Sequence, residues 1–392
     1  MINFNVLYDD EKRSKYPRQI KVSSGETYVL NMKNCRYEIV TKPSEEEYIV
    51  KFKVYGENKL NSKSDIILYA GILKDLVKNI FSFKWNYDFV KPERLILKLA
   101  QESFQDKIKA DNIEVIKCID KASAGGCLIA NKGTYEGKYT LFDIVNSYNS
   151  FFLENQMPTN PRFKTVDKIL KKTYALYRLE INDKKYLEKE YTMKFKTNRQ
   201  WFTKWDIDIF KMNNIEFTLL EQENNCIVYD KVECNFEWMT KLNYIKQNTN
   251  KQTDGIKYDI LKTLLSSFWG QCSRYSTIDF KIGEEKTVDR EWFYKTGENT
   301  GDSIYINPEQ IYKYSCAIIK PFILAYGRLR ILKQVKKLED KGYNCVFSLT
   351  DSIICNAKDK YFDIGTSIGQ WKKETTTEKG ITINNIASRN FL

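Results

Sequence analysis

The chain has no histidine among its 392 residues, so any acid–base or phosphate chemistry must rest on carboxylates, lysines or a bound metal ion. Three places offer such groups at useful spacing. Asp143 closes the run Tyr139-Thr140-Leu141-Phe142, whose aromatic, β-branched and apolar residues read as a short buried strand. Tyr148 follows five residues later, in a polar segment that leaves the strand and begins a helix. Asp351 lies in Thr350-Asp351-Ser352, a sharp turn between two very apolar strands within 344–356. The third place is the helix 258–271. Leu261, Leu264, Leu265 and Phe268 fall on one face at i, i+3, i+4 and i+7, while Lys262, Ser266 and Trp269 share another. That second face can offer a cation to phosphates and a ring to a base. Each feature also has a plain structural meaning: a capping aspartate, an exposed turn and a packed amphipathic helix.

The elements that must position these residues follow from the pattern in chain order. Short strands are expected at 4–8, 27–32 and 48–55, then helices over 64–81 and 92–108 and a strand over 115–119. Gly125 and Gly126 permit a tight turn or a close backbone approach before a strand at 127–130, and 131–138 reads as a hairpin turn into the Asp143 strand. Pro158 and Pro161 are expected to break the chain, with a helix over 166–177. Strand, helix and strand follow at 201–203, 205–211 and 215–220, then a helix at 236–247. Beyond 258–271 come hairpins over 280–306. A long helix is expected from Asn307-Pro308 to Gly342, kinked at Pro321, ahead of the Asp351 hairpin.

Composition bounds the partners. Sixty-three Lys and Arg against 51 Asp and Glu give a net charge of +12, which suits a polyanion, and 42% hydrophobic residues suffice for a large core. Nine cysteines form no C-x-x-C pair, which argues against structural zinc and for free thiols in a reducing compartment. No apolar run approaches the roughly 20 residues of a membrane span, and the N-terminus does not read as a signal peptide. A soluble cytoplasmic protein with no membrane partner is expected.

Taken together, D-x-x-x-S-Y-x-S at 143–150, K-x-x-x-S-S-x-W-G at 262–270 and S-L-T-D-S at 348–352 resemble the palm and fingers motifs of family B DNA polymerases. They are most similar to the protein-primed branch of phages and linear plasmids. Ser123–Gly126 resembles that branch's tyrosine-x-glycine-glycine segment without its tyrosine, and 324–328 resembles the segment preceding its hairpin. The likeness spans about residues 60 to 375. It implies an α+β fold: an antiparallel palm sheet with helices, helical fingers, a reduced exonuclease-like N-terminal lobe, and a thumb that is short or absent. The corresponding boundaries are 1–120 for the N-terminal lobe, 121–233 for the first palm part with an insertion, 234–275 for the fingers, and 276–392 for the second palm part with a C-terminal remnant.

The resemblance also implies roles. Asp143 and Asp351 would be catalytic and, with the backbone carbonyl of Ile144, would hold two Mg²⁺ (or Mn²⁺) ions. Tyr148, Lys246, Lys262, Ser266 and Trp269 would bind the incoming dNTP, and Gly125, Gly126, Arg328 and Thr350 would contact template or primer DNA. A priming terminal protein, or an accessory subunit supplying a thumb, is a further implied partner. Proofreading is not expected. The chain departs from the family at Leu349, where the hairpin motif has its first aspartate, and at Ser266, Trp269 and Asn149. Arg389-Asn390-Phe391 is the nearest shape to the family's lysine-x-tyrosine motif. The alternatives are a catalytically silent relative that binds nucleic acid or protein, and a nucleotidyltransferase that works without a template or onto a protein hydroxyl.

Overall fold

A computed structural model describes residues 112–182, 200–233, 237–272 and 315–385 continuously. Elsewhere it describes the strands Arg18–Lys21, Glu26–Asn31, Arg36–Glu38, Tyr48–Lys51, Tyr275–Phe280, Phe293–Thr296, Ser303–Ile311 and Ser388–Phe391, with a few helical residues between 72 and 101. The strand expected at 4–8, and most of the helices expected over 64–81 and 92–108, lie outside the described residues. Contacts divide the chain into two units, Met1–Gln105 with Phe236–Ser315, and Asp106–Asn235 with Cys316–Leu392.

In the first unit, the N-terminal strands form a four-stranded sheet and the strands between 275 and 311 a three-stranded one. Its helices Glu237–Gln247 and Gly255–Gln271 pack together, with Trp238 edge-on to Phe268. The two faces read from sequence are present: Leu261, Leu264, Leu265 and Phe268 are buried, Lys262 and Ser266 exposed. Gly270 does not end this helix, which runs one residue past it.

The second unit is built on a five-stranded antiparallel sheet. Its strands are β1 (Cys127–Ala130), β2 (Tyr139–Ile144), β3 (Cys345–Thr350), β4 (Ser352–Cys355) and β5 (Trp371–Thr377), in the spatial order β5-β2-β4-β3-β1. One face closes on a core of Tyr139, Val346, Phe347, Ile354, Ile381 and Ile383. Three helices are central to the site: α1 (Ile113–Ala122), α2 (Ser147–Glu154) and α3 (Lys204–Met212). A fourth, α4 (Lys320–Glu339), packs against all three and against β3. The mixed helix and antiparallel-sheet class is the one expected.

Several local readings are corrected. Residues 115–119 are helical: Asn112 caps α1 by accepting from Glu114 N–H, and Val115, Ile116, Ile119 and Ala122 bury one helical stripe, which outweighs their β-branched composition. Pro158 and Pro161 do not break the chain. They sit in Met157–Lys164, an edge strand paired on one side only, which is where a sheet tolerates proline. The helix expected over 166–177 is irregular chain followed by the strand Ala175–Ile181, and 131–138 contains the strand Gly133–Glu136, paired with Gly380–Asn385. Asn307 and Pro308 belong to the strand Ser303–Ile311. The long helix starts at Lys320, with Pro321 in its first turn, where proline is favoured rather than kinking.

Candidate active site in the palm sheet

Strand pairing brings the two aspartates together across a long stretch of chain. Asp143, next to last in β2, lies in register with Ser352 of β4, and Ile144 N–H donates to the carbonyl of Asp351 at 2.9 Å. On its other side Asp143 is in register with Lys372 of β5. Both aspartates are half-buried. Burial, then repulsion from Asp351 and Glu374, pushes the Asp143 carboxyl up to about 7, against the opposing pull of Lys372. Burial also raises Asp351, opposed by a backbone hydrogen bond.

Such a pair favours a cation. Two carboxylates beside a backbone carbonyl are hard oxygen donors of the kind Mg²⁺ takes, and Mg²⁺ needs few protein ligands because it keeps waters and substrate oxygens. Among the described residues no group of three or more His, Cys, Asp or Glu side chains converges into a cage, so any ion held here would share its shell with solvent or substrate. A pH dependence follows. With metal chelated, native Asp143 keeps a proton that the unfolded chain releases near pH 4, so stability should fall as pH rises from about 4 to about 7. Urea unfolding in EDTA across that range should show a slope of up to one proton, and Asp143→Asn should flatten it.

The Asp351 turn is unusually tight. Leu349 pairs directly with Ser352, Asp351 N–H donates back to the Leu349 carbonyl at 2.7 Å, and Thr350 sits at φ +62°. This is a γ-turn in the left-handed region that β-branched residues avoid. Gly126 abuts it: a Cβ there would lie 2.7 Å from Thr350 Cα, so glycine is needed for close packing on the turn. Gly125 beside it is exposed. Leu349 is partly buried and packs against the palm core.

Tyr148 lies on α2 and is 9% exposed. Its ring rests on α4 at Gly327, where a Cβ would come within 3.1 Å of Cε1. Burial raises its phenol to about 12, with Arg328 opposing the rise and Asp351 adding to it. Arg328 corrects an expectation. It is 1% exposed and bonded to Asp206 and to the carbonyls of Ala124 and Gly125, so it cannot reach a DNA backbone in this arrangement. Arg330 ties α2 to the loop before β5, donating to Ser150 Oγ and to the Gly369 carbonyl.

The expected nucleotide-binding residues Lys246, Lys262, Ser266 and Trp269 all belong to the other unit. Lys246 Nζ lies 5.7 Å from the Tyr258 ring centroid, and Tyr258 precedes Lys262 by one helical turn. Lys246 therefore joins the face shared by Lys262, Ser266 and the half-buried Trp269.

Three residues in this unit, two of them acting on Asp143, went unnoticed in the sequence. Asp206 carried a legible signal, the T-x-x-D of a capping box with Thr203. Lys372 and Glu374 did not. The register of β5 shifts between Lys373 and Thr375, making Glu374 the extra residue of a β-bulge; Lys372 Nζ bonds Glu374 at 2.6 Å, and both act on Asp143. Only strand pairing reveals this.

No protein-family profile matches the chain. It is 23% identical over 384 residues to a DNA polymerase of Kluyveromyces lactis, covering 85% of this chain and 38% of that protein. Among solved structures it is similar to phage Phi29 DNA polymerase complexed with primer-template DNA and incoming nucleotides, with a TM-score of 0.55 and 16% identity over 77% of this chain and 56% of that one. The Phi29 polymerase complex with single-stranded DNA gives a TM-score of 0.54 at 16% identity, covering 76% of this chain and 53% of that one. The chain thus spans well under half of the curated relative and little more than half of either structure. In fold, and in the order of motifs along its palm sheet, it resembles the protein-primed family B DNA polymerases.

Proposed function

We propose that this chain is a template-directed DNA polymerase that extends a primer 3′-hydroxyl with deoxynucleotides. The observation that carries this reading is that the pairing of β2 with β4 sets Asp143 beside the turn that bears Asp351, with Tyr148 on the helix that follows β2, in a sheet whose fold is similar to that of Phi29 DNA polymerase. Asp143, Asp351 and the Ile144 carbonyl would hold two Mg²⁺ or Mn²⁺ ions, which when bound supply charge neutralisation for the attacking and leaving oxygens. The protein's own contribution is positioning. Lys262 and Lys246 would neutralise the triphosphate, Tyr148 would pack under the sugar, Trp269 and Ser266 would line the nascent base pair, and exposed Gly125 with Thr350 would face primer or template. DNA, dNTPs, and a priming terminal protein or thumb-supplying subunit are the proposed partners. No described helix is long and apolar enough to cross a membrane, and the cytoplasm is the proposed location. Absence of proofreading belongs to the same proposal.

One observation favours a second reading. Leu349 replaces the hairpin's first aspartate and packs on the core, as a catalytically silent subunit that only binds nucleic acid could tolerate. Primer extension decides between them. Template-dependent addition of dNTPs with Mg²⁺ or Mn²⁺, lost on chelation, is the expected result. Tight DNA binding without incorporation under either metal would establish the silent reading, and incorporation indifferent to template would establish a template-independent transferase.

A further inference from the structure

Arg328 uses every edge of its guanidinium inside the protein. Nε and Nη2 donate to Oδ1 of Asp206 at 3.2 and 2.7 Å, and Nη1 donates to the carbonyls of Ala124 and Gly125. Asp206 is equally enclosed, both side chains being 0% exposed, and its Oδ2 accepts from the N–H and hydroxyl of Thr203 at the start of α3, each at 3.0 Å. A buried pair of this kind is weak evidence for stability, because desolvating both charges offsets their attraction. Its geometry suggests another use. The two carbonyls it holds belong to the link between α1 and β1, and the next residue, Gly126, lies against the Thr350 turn closely enough that no side chain fits between them. That turn holds a β-branched residue at φ +62°, a backbone state that persists only where its surroundings impose it.

We propose that the Arg328–Asp206 pair is a positioning clamp: by fixing the Ala124 and Gly125 carbonyls it sets Gly126 against Thr350 and so holds the strained turn that aims Asp351. Neither residue touches substrate; both act through the turn. Arginine is required because three acceptors in two directions must be met by one planar fork, which a lysine ammonium on a single stem cannot do. The kinetic consequence rests on the polymerase reading, whereas the clamp itself does not.

Two variants test it. Arg328→Lys keeps the charge opposite Asp206 but gives up the fork, and Arg328→Met combined with Asp206→Leu replaces the pair by apolar side chains of similar size, a change that buried pairs often tolerate. Hydrogen exchange should accelerate about tenfold or more at amides 124–127 and 349–352 in both, and stay within about threefold at 139–143. Extension kcat should fall about 10- to 100-fold, the scale of a small misplacement of reacting groups, with KM for dNTP and DNA affinity changed by less than about threefold. Unchanged exchange at both segments would reduce the pair to core packing, and accelerated exchange with normal kcat would show that the turn does not govern the chemistry. If the double variant fails to fold, Arg328→Lys carries the same comparisons. Failure of the wild-type protein to extend any primer would sink the polymerase reading, and the exchange measurement would still decide the clamp.

Discussion

Asp351→Asn is expected to lower primer extension by about 10³-fold or more while leaving DNA affinity within about threefold. The substitution is nearly isosteric, so the tight turn at Thr350 and the pairing of β3 with β4 should survive it. What it removes is one of the two carboxylates of the proposed cation site, and a factor of 10³ corresponds to about 4 kcal/mol of transition-state stabilisation. Under the proposed function, DNA binding would draw on many phosphate contacts from a chain of net charge +12 and hardly on this carboxylate. The same variant has a readout free of activity. Without Asp351 the repulsion on Asp143 is relieved, so the Asp143 carboxyl should titrate below the wild-type value of about 7 when followed by NMR in EDTA. A variant that retains a tenth or more of wild-type extension would remove Asp351 from the chemistry.

Tyr148→Ala is expected to raise ribonucleotide incorporation relative to deoxynucleotide by about ten- to a thousandfold. Tyr148 stands in the first turn of the helix that follows Asp143, so a triphosphate anchored at the aspartates would bring its sugar to the ring. One side of the ring packs close over Gly327 of α4, where an added Cβ would lie 3.1 Å from Cε1, so the ring has little room to yield in that direction. A ribose 2′-hydroxyl would therefore meet a fixed surface, where steric overlap readily reaches a few kcal/mol. Truncating a ring 9% exposed also leaves a cavity that costs about 3–5 kcal/mol of stability, so Tyr148→Phe is the companion variant. It keeps the ring and should keep the selectivity. Equal use of both sugars by the wild type, or wild-type selectivity in a folded Tyr148→Ala, would leave Tyr148 a packing residue only.

Much of the local structure around the candidate residues was legible in the sequence, for a local reason. The strand bearing Asp143, the helix carrying Tyr148, the turn at Asp351 and the two-faced helix with Lys262 and Trp269 are each written in the pattern of a few neighbouring residues, and the backbone obeys such patterns when packing agrees with them. Where packing disagreed, the local reading failed. The β-branched 115–119 became a helix because its buried stripe faces the core, and two prolines entered a strand because that strand lies at a sheet edge.

The sequence by itself determined which residue types could do chemistry, the order of their motifs and the helical or extended state of most segments that bear them. The tertiary structure alone decided which of them meet. It set Asp143 beside Asp351 and Lys372, re-aimed Glu374 through a bulge, and took Arg328 away from any surface by giving it Asp206 and two carbonyls as partners. The physical reason is that strand register and burial are set by contacts between residues far apart in the chain. A side chain's charge state and reach depend on what those contacts exclude from water, which no run of neighbouring residues encodes.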